Sequence, residues 1–442
     1  MSRQERPNSN TFLLTYRDLI NIWQDWSDTQ PVQPLDRWLR QYSRGQRQQS
    51  PAFRMAINNA MVEALRYRQL ADALELSFRD PGYDDWKNWD SRWQADAPLT
   101  SSPRHFWYWI QLCSNSDWRL PHDLEEQRAR REHFEAFRAQ ADSLEDNALF
   151  LLNYGLRPGW EPLLFRRADL SGWDHQQVGR LVRMQTSRPP LWLRPSGQVD
   201  VNELHQALSE EGVTVGQYQN HLYATGGKDI TLTQGFKNGE FEVQDLASQQ
   251  ICDAVDVKPG HKVWDACAGA GGKSLTLARA LAGKGAVVAT DLHAYKLEEL
   301  KRRAKRAAIS NIRSFTWDAD APLRLPAEIA RQQGFDRILV DAPCSNSGTW
   351  RRNPDARWRL DSRNSRELAA LQGKILAQAS KALRPGGRLV YATCSWQAIE
   401  NEDVVASFLA SHPDFCLIEQ KMLGAPLSDS DTMFVAVLAH RS

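Results

Sequence analysis

The spacing of apolar residues changes twice along the chain and divides it into three regions. From residue 11 to about 145, apolar residues recur at helical spacing. Short apolar runs then alternate with glycine turns. From residue 241 onward, apolar runs alternate regularly with amphipathic stretches, as in a doubly wound parallel sheet. We therefore predict a helical domain (1–143), a small α/β module (144–238) and a larger α/β domain (239–442).

The last region is predicted to contain seven strands joined mostly by helices. The strands are 261–264, 286–290, 314–317, 337–340, 388–393, 415–418 and 433–438. A long helix is predicted over 365–383, with Asn364 and Glu367 at capping-box positions. In the helical domain, the charged string 125–135 is predicted to face solvent.

A polar residue follows each of five successive strands of this predicted sheet. These residues are Asp265, Asp291, Asp318, Asp341 and Cys394. One aspartate at a strand end is usually a turn residue. Five polar groups at the carboxyl ends of parallel strands indicate a site, because ligands bind in the crevice there. A second thiol, Cys344, lies just past Asp341, in a loop that Pro343 breaks away from the strand.

The loop after the first strand, DACAGAGGKS (265–274), is compared with three glycine motifs. A P-loop requires glycine where Cys267 stands, and a dinucleotide-binding loop requires its third glycine where Ser274 stands. A strand-end carboxylate followed by glycines remains, and this suits a charged amino-acid moiety. Asp265 is predicted to bind the ammonium group, and the backbone amides of the following helix the carboxylate.

Two further aspartates extend this site toward a nucleoside. Asp291 is placed for ribose hydroxyls and Asp318 for an adenine amino group. The ordered set predicts S-adenosylmethionine (SAM) as the cofactor. The residues predicted to bind it are Asp265, Ala266, Cys267, Ala268, Gly269, Ala270, Gly271, Gly272, Lys273, Asp291, Lys296, Asp318 and Asp341.

Composition narrows the class of protein without identifying a partner. Of the 442 residues, 42% are apolar and 25% charged, which is typical of a globular protein. The net charge of +1 does not indicate nucleic acid, and most of the seventeen tryptophans are expected in the core. The six cysteines form no CxxC pair, so we expect no metal and no disulfide. Without a signal peptide or a membrane segment, we expect a cytoplasmic monomer.

Several segments resemble the RNA 5-methylcytosine methyltransferases, the RsmB/NOP/NSUN group. They are FEVQDLASQ (241–249), DACAGAGGK (265–273), DAPCSNSGTWRRNPDARWRL (341–360), LRPGGRLVYATCS (383–395) and Glu400-Asn401-Glu402. PPLWLR (189–194) looks like the start of the family's small module, and the helical region is compared with a NusB-like domain. The chain departs from the family at Asn346, usually glycine, Trp350, usually aliphatic, Ala270, often proline, and in 431–438.

The resemblance implies a Rossmann-like class I SAM-dependent methyltransferase domain that methylates carbon 5 of cytosine in RNA. Cys394 is then the nucleophile that attacks carbon 6, Cys344 assists its release and Asp341 holds the ring. Carbon 5 becomes reactive only after such covalent addition. Ribosomal RNA is the first expectation for the substrate and transfer RNA the second. Arg351, Arg352 and helix 296–306 are predicted to contact phosphates.

Two other classes of protein stay open on the residues alone. One is a P-loop-like nucleotide hydrolase, because 338–341 is similar to a metal-binding strand; the thiols have no role there. The other is a non-catalytic RNA-binding protein that kept the fold, against which the two cysteines argue. Binding of SAM rather than ATP separates the first of these from a methyltransferase.

Overall fold

The computed structural model describes residues 14–441 apart from 30–32, 46–48, 96, 120, 122, 143–145 and 198. Its helices are α1 (Tyr16–Ser27), α2 (Leu35–Gly45), α3 (Pro51–Arg79), α4 (Trp86–Arg92), α5 (Pro103–Ser114), α6 (Gln127–Ala141), α7 (Asn147–Asn153), α8 (Glu161–Ser171), α9 (His175–Met184), α10 (Val201–Glu210), α11 (Gln234–Lys237), α12 (Leu246–Ala254), α13 (Gly272–Ala280), α14 (Ala294–Arg306), α15 (Ala327–Arg331), α16 (Pro354–Arg357), α17 (Ser362–Ser380) and α18 (Glu402–Ser411). Its strands are β1 (Leu191–Pro195), β2 (Val213–Tyr218), β3 (His221–Gly227), β4 (Phe241–Val243), β5 (Lys262–Asp265), β6 (Ala286–Asp291), β7 (Ile312–Thr316), β8 (Phe335–Asp341), β9 (Leu383–Thr393), β10 (Phe415–Leu423) and β11 (Met433–His440).

The chain divides into two compact units. The first comprises the described residues up to Phe165, together with Val182–Ser187 and Asn353–Arg359. The second comprises Arg166–Leu181, Arg188–Arg352 and the described residues from Leu360 onward, and it contains both β-sheets. The predicted domain boundary at 143/144 falls on residues outside the described part of the chain. The three-domain division stays a prediction.

The first unit is built around an aromatic core with buried ion pairs. Trp107 and Trp109 are almost fully buried. The indole of Trp109 donates to the buried carboxylate of Glu75 at 2.9 Å. Arg130, which is fully buried, donates to the same carboxylate. The prediction that string 125–135 faces solvent is therefore wrong for Arg130, whose partner on α3 lies far away in sequence.

Residues Asn353–Arg359, which are part of a methyltransferase-like motif, pack within the helical unit. Asp355 accepts a hydrogen bond from the backbone N–H of Leu35 at 3.1 Å. The indole of Trp358 donates to the carbonyl of Leu65 at 2.8 Å. Burial lowers the pKa of Arg357 to about 9, and its guanidinium donates to the carbonyl of Gly155. This segment thus belongs structurally to the core that α3 helps to form.

The smaller sheet of the second unit has four strands in the order β2-β3-β1-β4. Each neighbouring pair in it is antiparallel. Its buried side includes Leu193, Leu222 and Phe241, on which Leu204 of α10 packs. Strands and a helix therefore form a small α/β layer, as the sequence predicted for this region.

The larger sheet has seven strands in the order β10-β11-β9-β8-β5-β6-β7. Strands β5 to β9 pair in parallel, whereas β11 runs antiparallel between β9 and β10. The central strands are continuous apolar runs, and 338–340 of β8 is fully buried. Such runs are expected where a parallel sheet is covered by helices. The strand order reverses between β5 and β8, which is where ligand-binding crevices form in α/β sheets.

One predicted helix start differs from the observed one. Helix α17 begins at Ser362, and the side chain of Asp361 accepts from the backbone N–H of Asn364 at 2.6 Å. The capping box predicted at Asn364 and Glu367 is therefore wrong. Asp361 offers an equally good cap oxygen three residues earlier, and it adds a turn to the helix.

Candidate active site

The two predicted thiols meet at the ends of adjacent parallel strands. Cys394 directly follows β9, and Cys344 lies three residues past the end of β8. Their sulfurs are 3.2 Å apart, and both are free thiols. A hydrogen bond with Cys394 and burial raise the pKa of Cys344 well above its ordinary value. Cys344 therefore favours its protonated form beside the Cys394 sulfur.

Asn346 explains one departure from the family's usual sequence. Its backbone has a φ of +57°, in the left-handed region that favours glycine and that asparagine tolerates. Its side-chain oxygen accepts a hydrogen bond from the Cys394 thiol at 3.0 Å. Asparagine thus satisfies the backbone requirement and adds a polar contact to this sulfur.

Asp341, the last residue of β8, is paired with the lysine of the glycine loop. The ammonium of Lys273 lies 2.7 Å from the Asp341 carboxylate. Burial opposes the charged form of Lys273, but the neighbouring Asp341 outweighs it and raises the pKa of the lysine. The ion pair is therefore an integral part of the site, and Lys273 is bound to a protein carboxylate.

Asp265 is a buried carboxylate, and among the described residues only one of its two oxygens has a hydrogen-bond partner. Its Oδ2 accepts from the Ser274 hydroxyl at 2.6 Å, whereas Oδ1 has no hydrogen-bond partner among the described residues. Burial raises the pKa of Asp265 to about 7. An unsatisfied buried oxygen of this kind fits a cationic group supplied by a ligand.

The glycine loop bends tightly between β5 and α13. The backbone N–H of Ala268 donates to the carbonyl of Thr290 at 2.8 Å, and Arg303 donates to the carbonyl of Ala270 at 3.0 Å. Burial raises the pKa of Cys267 well above its ordinary value, so this thiol favours its neutral form. Gly271 has a φ of +84°, and a Cβ there would lie 2.5 Å from Leu300 Cγ.

Gly271→Ala is expected to lower the melting temperature and the affinity for SAM. The change forces a left-handed alanine against Leu300, at a cost of about 1–3 kcal/mol. Gly272→Ala is the matched control, because its φ is not positive and its nearest contact is Arg303 at 3.9 Å. Thermal unfolding and calorimetry of both variants would check this. Equal effects of the two changes would contradict the role given to Gly271.

Asp291 closes the other side of the loop. Its carboxylate accepts from the backbone N–H of Gly269 at 3.0 Å and of His293 at 2.9 Å. The ammonium of Lys296 lies 3.5 Å from the Asp291 carboxylate.

Asp318 differs from the other strand-end aspartates. It is exposed, lies two residues past the end of β7, and accepts from the backbone N–H of Asp320 at 3.0 Å.

The two arginines predicted to contact phosphate are bound within the protein. Arg351 is 2% exposed and pairs with Asp429 at 2.6 Å. Arg352 pairs with Asp245 at 2.7 Å and with Asp431 at 3.0 Å. The prediction of phosphate contacts is therefore wrong for both, because carboxylates distant in sequence already neutralise them.

Asn401 of the Glu400-Asn401-Glu402 motif, which sequence reasoning did not place in the site, supports the loop that carries Cys394. Asn401 donates to the carbonyl of Ser395 at 2.8 Å and accepts from the Thr393 hydroxyl at 2.6 Å. Glu402 binds the fully buried Arg167 at 2.6 Å. The motif was visible in the sequence, but its partners are spread over several elements.

Part of the second unit is similar to a family of known proteins. Residues 253–441 match the family described as 16S rRNA methyltransferase RsmB/F. The probable ribosomal RNA small subunit methyltransferase B of Bacillus subtilis (strain 168) is 35% identical over 277 residues, which are 62% of this chain and 60% of that protein. The protein named ribosomal RNA small subunit methyltransferase B of Yersinia pseudotuberculosis serotype O:1b (strain IP 31758) is 33% identical over 300 residues, 66% of each chain. The chain thus spans between 60% and 66% of the length of these two relatives.

Solved structures show the same fold at lower identity. A protein named PH0851 covers 97% of this chain and 100% of its own, with a TM-score of 0.71 at 22% identity. NSun6 from Pyrococcus horikoshii, solved with SFG, a SAM analogue, covers 64% of this chain and 98% of its own, with a TM-score of 0.54 at 17% identity.

The sheet order and these neighbours define a Rossmann-like class I SAM-dependent methyltransferase domain, which confirms the predicted fold class. Residues 253–441 match the RsmB/F family of methyltransferases, which confirms the resemblance that the motifs indicated. The comparisons support SAM as the cofactor and give no support to a nucleotide hydrolase. Within the described part of the chain, no helix has the length and apolar character needed to cross a membrane.

Proposed function

We propose that this protein methylates carbon 5 of a cytosine in ribosomal RNA, using SAM and a covalent adduct at Cys394. The observation that carries the proposal is the thiol pair, with sulfurs 3.2 Å apart at the ends of β8 and β9. Asp341, the last residue of β8, supplies a carboxylate three residues before Cys344. The relatives named for ribosomal RNA support that substrate over transfer RNA.

The residues of the glycine loop fit the cofactor. The unpartnered Oδ1 of Asp265 suits the ammonium group, and the tight turn at Gly271 leaves no room for a side chain between loop and α14. Asp291, held by two backbone N–H groups, keeps acceptor capacity for ribose hydroxyls. When bound, SAM supplies an electrophilic methyl group.

Cys394, the Asp341–Lys273 pair and Cys344 have separate roles in the proposed reaction. The Cys394 sulfur forms a bond to carbon 6, which makes carbon 5 nucleophilic. The Asp341–Lys273 pair holds the ring and shares a proton with it as negative charge develops. Once carbon 5 carries the methyl group, a base takes its hydrogen as a proton, the C–H electron pair re-forms the double bond between carbons 5 and 6, and Cys394 leaves as the thiolate. Cys344, in contact with that sulfur, assists this release.

The target base must leave any stack before a thiol reaches carbon 6. A single-stranded or loop region of RNA meets that requirement most readily. With Arg351 and Arg352 engaged inside the protein, helix α14 remains as the predicted phosphate contact. Its last turn carries Arg303, Lys305 and Arg306. Arg303 and Arg306 are paired with Glu242, which leaves Lys305 as the stronger candidate of the three.

The proposal is tested by methyl transfer from labelled SAM. The full chain is incubated with protein-free ribosomal RNA and, separately, with transfer RNA, and the digested nucleosides are separated by mass spectrometry. Label in 5-methylcytidine from ribosomal RNA is the expected result, with none from the Cys394→Ala variant. Label from transfer RNA alone would overturn the substrate, and label at another atom of the base would overturn the reaction.

Asp291→Ala is expected to weaken SAM binding by about 1–3 kcal/mol, the cost of leaving polar partners unpaired. The change removes the acceptor for two backbone N–H groups as well as the proposed ribose contact. Glu298→Ala on the exposed side of α14, which breaks only a surface pair with Lys301, is the control. Calorimetry that gives unchanged SAM affinity for Asp291→Ala would exclude the ribose role.

A further inference from the structure

The Glu400 carboxylate lies at the centre of a buried hydrogen-bond network. Glu400 is fully buried. It accepts hydrogen bonds from Ser345 N (2.8 Å), Ser345 Oγ (2.5 Å), Ser395 Oγ (2.6 Å), Gln397 Nε2 (2.8 Å) and Gln372 Nε2 (3.0 Å). Among the described residues, Glu400 forms no ion pair, so these donors alone compensate its charge.

Four of the five donors belong to the two loops that carry the thiols, and the fifth, Gln372, lies on α17. Ser345 directly follows Cys344, and Ser395 directly follows Cys394. Gln372 also donates to the carbonyl of Pro343 at 2.9 Å, on the other side of Cys344. One carboxylate therefore joins the loop after β8 to the loop after β9, within a residue of each sulfur.

This hydrogen-bond network requires a side chain at position 400 that accepts hydrogen bonds and donates none. A carboxylate accepts at both oxygens, which matches a set of N–H and O–H donors, and hydrogen bonds to it are the strong, charge-assisted kind. A glutamine of the same shape would place its own N–H₂ against at least one of these donors. The Ser345 backbone N–H is fixed in direction and cannot turn away from it.

We propose that Glu400 is a positioning residue that keeps the two thiols in contact by binding the serine that follows each of them. The functional consequence rests on the proposed roles of Cys344 and Cys394. Glu400 acts through the loops, because its carboxylate binds the serine next to each thiol. Loss of the carboxylate lets the loops separate, so that Cys344 no longer reaches the sulfur that it must release.

The distance between the thiols can be measured without any methyl transfer. Diamide takes two hydrogens from a pair of neighbouring thiols and leaves a disulfide, and the rate reports how often the sulfurs meet. The Cys344–Cys394 linkage is quantified by peptide mass spectrometry on the folded full chain. We expect Glu400→Gln to slow its formation by about tenfold or more, the scale of an unmatched buried donor.

Glu402→Gln is the matched control. It lies two residues further on in the same motif, and its carboxylate binds Arg167 and touches neither serine. It is expected to lower thermal stability while the disulfide forms at the rate of the unchanged protein. Should Glu400→Gln fail to fold, Ser395→Ala removes one hydroxyl donor and keeps the charge. It is expected to slow the linkage by a smaller factor.

The outcomes separate this inference from the proposed function. Slower linkage in Glu400→Gln, or in Ser395→Ala where the former does not fold, supports the positioning role even if the unchanged protein transfers no methyl group. An unchanged linkage rate in the folded variant overturns the positioning role, whether or not methylation occurs. If methylation is present, Glu400→Gln is further expected to lower kcat while the KM for SAM stays the same.

Discussion

Cys344→Ala is expected to leave the enzyme covalently bonded to its RNA, whereas Cys394→Ala should form no adduct and no product. The sulfurs are 3.2 Å apart, yet their environments differ. Cys394 contacts the exposed Asn346, and Cys344 is held protonated by Cys394 and by burial. Without Cys394, carbon 5 stays unreactive. Without Cys344, attack and methyl transfer proceed and release stalls after about one turnover per enzyme.

Denaturing gel electrophoresis with RNA and SAM distinguishes the two variants. A slowly migrating RNA–protein species is expected for Cys344→Ala alone. Cys416→Ala is the control, because this half-buried thiol on β10 lies next to the carbonyl of Ala439 and should behave as the unchanged protein. Swapped behaviour of the two variants would assign the nucleophile to Cys344. An adduct in neither would remove the covalent mechanism.

SAM affinity is expected to fall as the pH drops below about 7, with proton release on binding near pH 6.5. Burial raises the pKa of the Asp265 carboxyl to about 7. Below that pH the group is neutral, and the ammonium of SAM binds the ionised form; binding must therefore expel a proton. Affinity should fall up to about tenfold per pH unit, or 1.36 kcal/mol. Above about pH 7 the Asp265 carboxyl is already ionised, so its contribution to the pH dependence levels off.

Calorimetry in two buffers with different ionisation enthalpies measures the released proton directly. Asp265→Asn is expected to bind SAM weakly and with little pH dependence. Asp431→Asn is the control, because burial and Asp245 raise the pKa of Asp431 to about 7 as well, although it binds Arg352 instead of the glycine loop. If Asp431→Asn rather than Asp265→Asn abolished the effect, the ammonium site would be misassigned.

The large sheet could be predicted from the sequence, because the apolar runs that indicate its strands are formed by adjacent residues. Continuous apolar runs such as 338–340 are possible only in strands covered on both sides, and the residue after such a run lies at the binding edge. Asp265, Asp291, Asp341 and Cys394 are therefore predicted at strand ends, and β5, β6, β8 and β9 end there. Asp318 followed the same rule but lies past the end of β7, exposed.

The partners of charged side chains were much harder to predict from the sequence, because ion pairs form between residues that are distant along the chain. In the sequence, Arg130 in a charged string and Arg351 in the segment after β8 both look like surface residues. The fold buries them against Glu75 and Asp429. An isolated guanidinium carries no signal that tells a phosphate contact from an internal ion pair, since both require the same fork of donors.

The sequence by itself determined the class of fold, the order of polar groups along the strand ends and the resemblance that names their chemistry. Only the tertiary structure decided which of these groups touch. It brought two thiols, 50 residues apart, to 3.2 Å, and joined their loops through Glu400. The physical reason is that hydrophobic periodicity is a pattern of neighbouring residues and can be recognised in the sequence. A buried carboxylate, by contrast, requires hydrogen-bond donors from several separate elements, which only folding brings together.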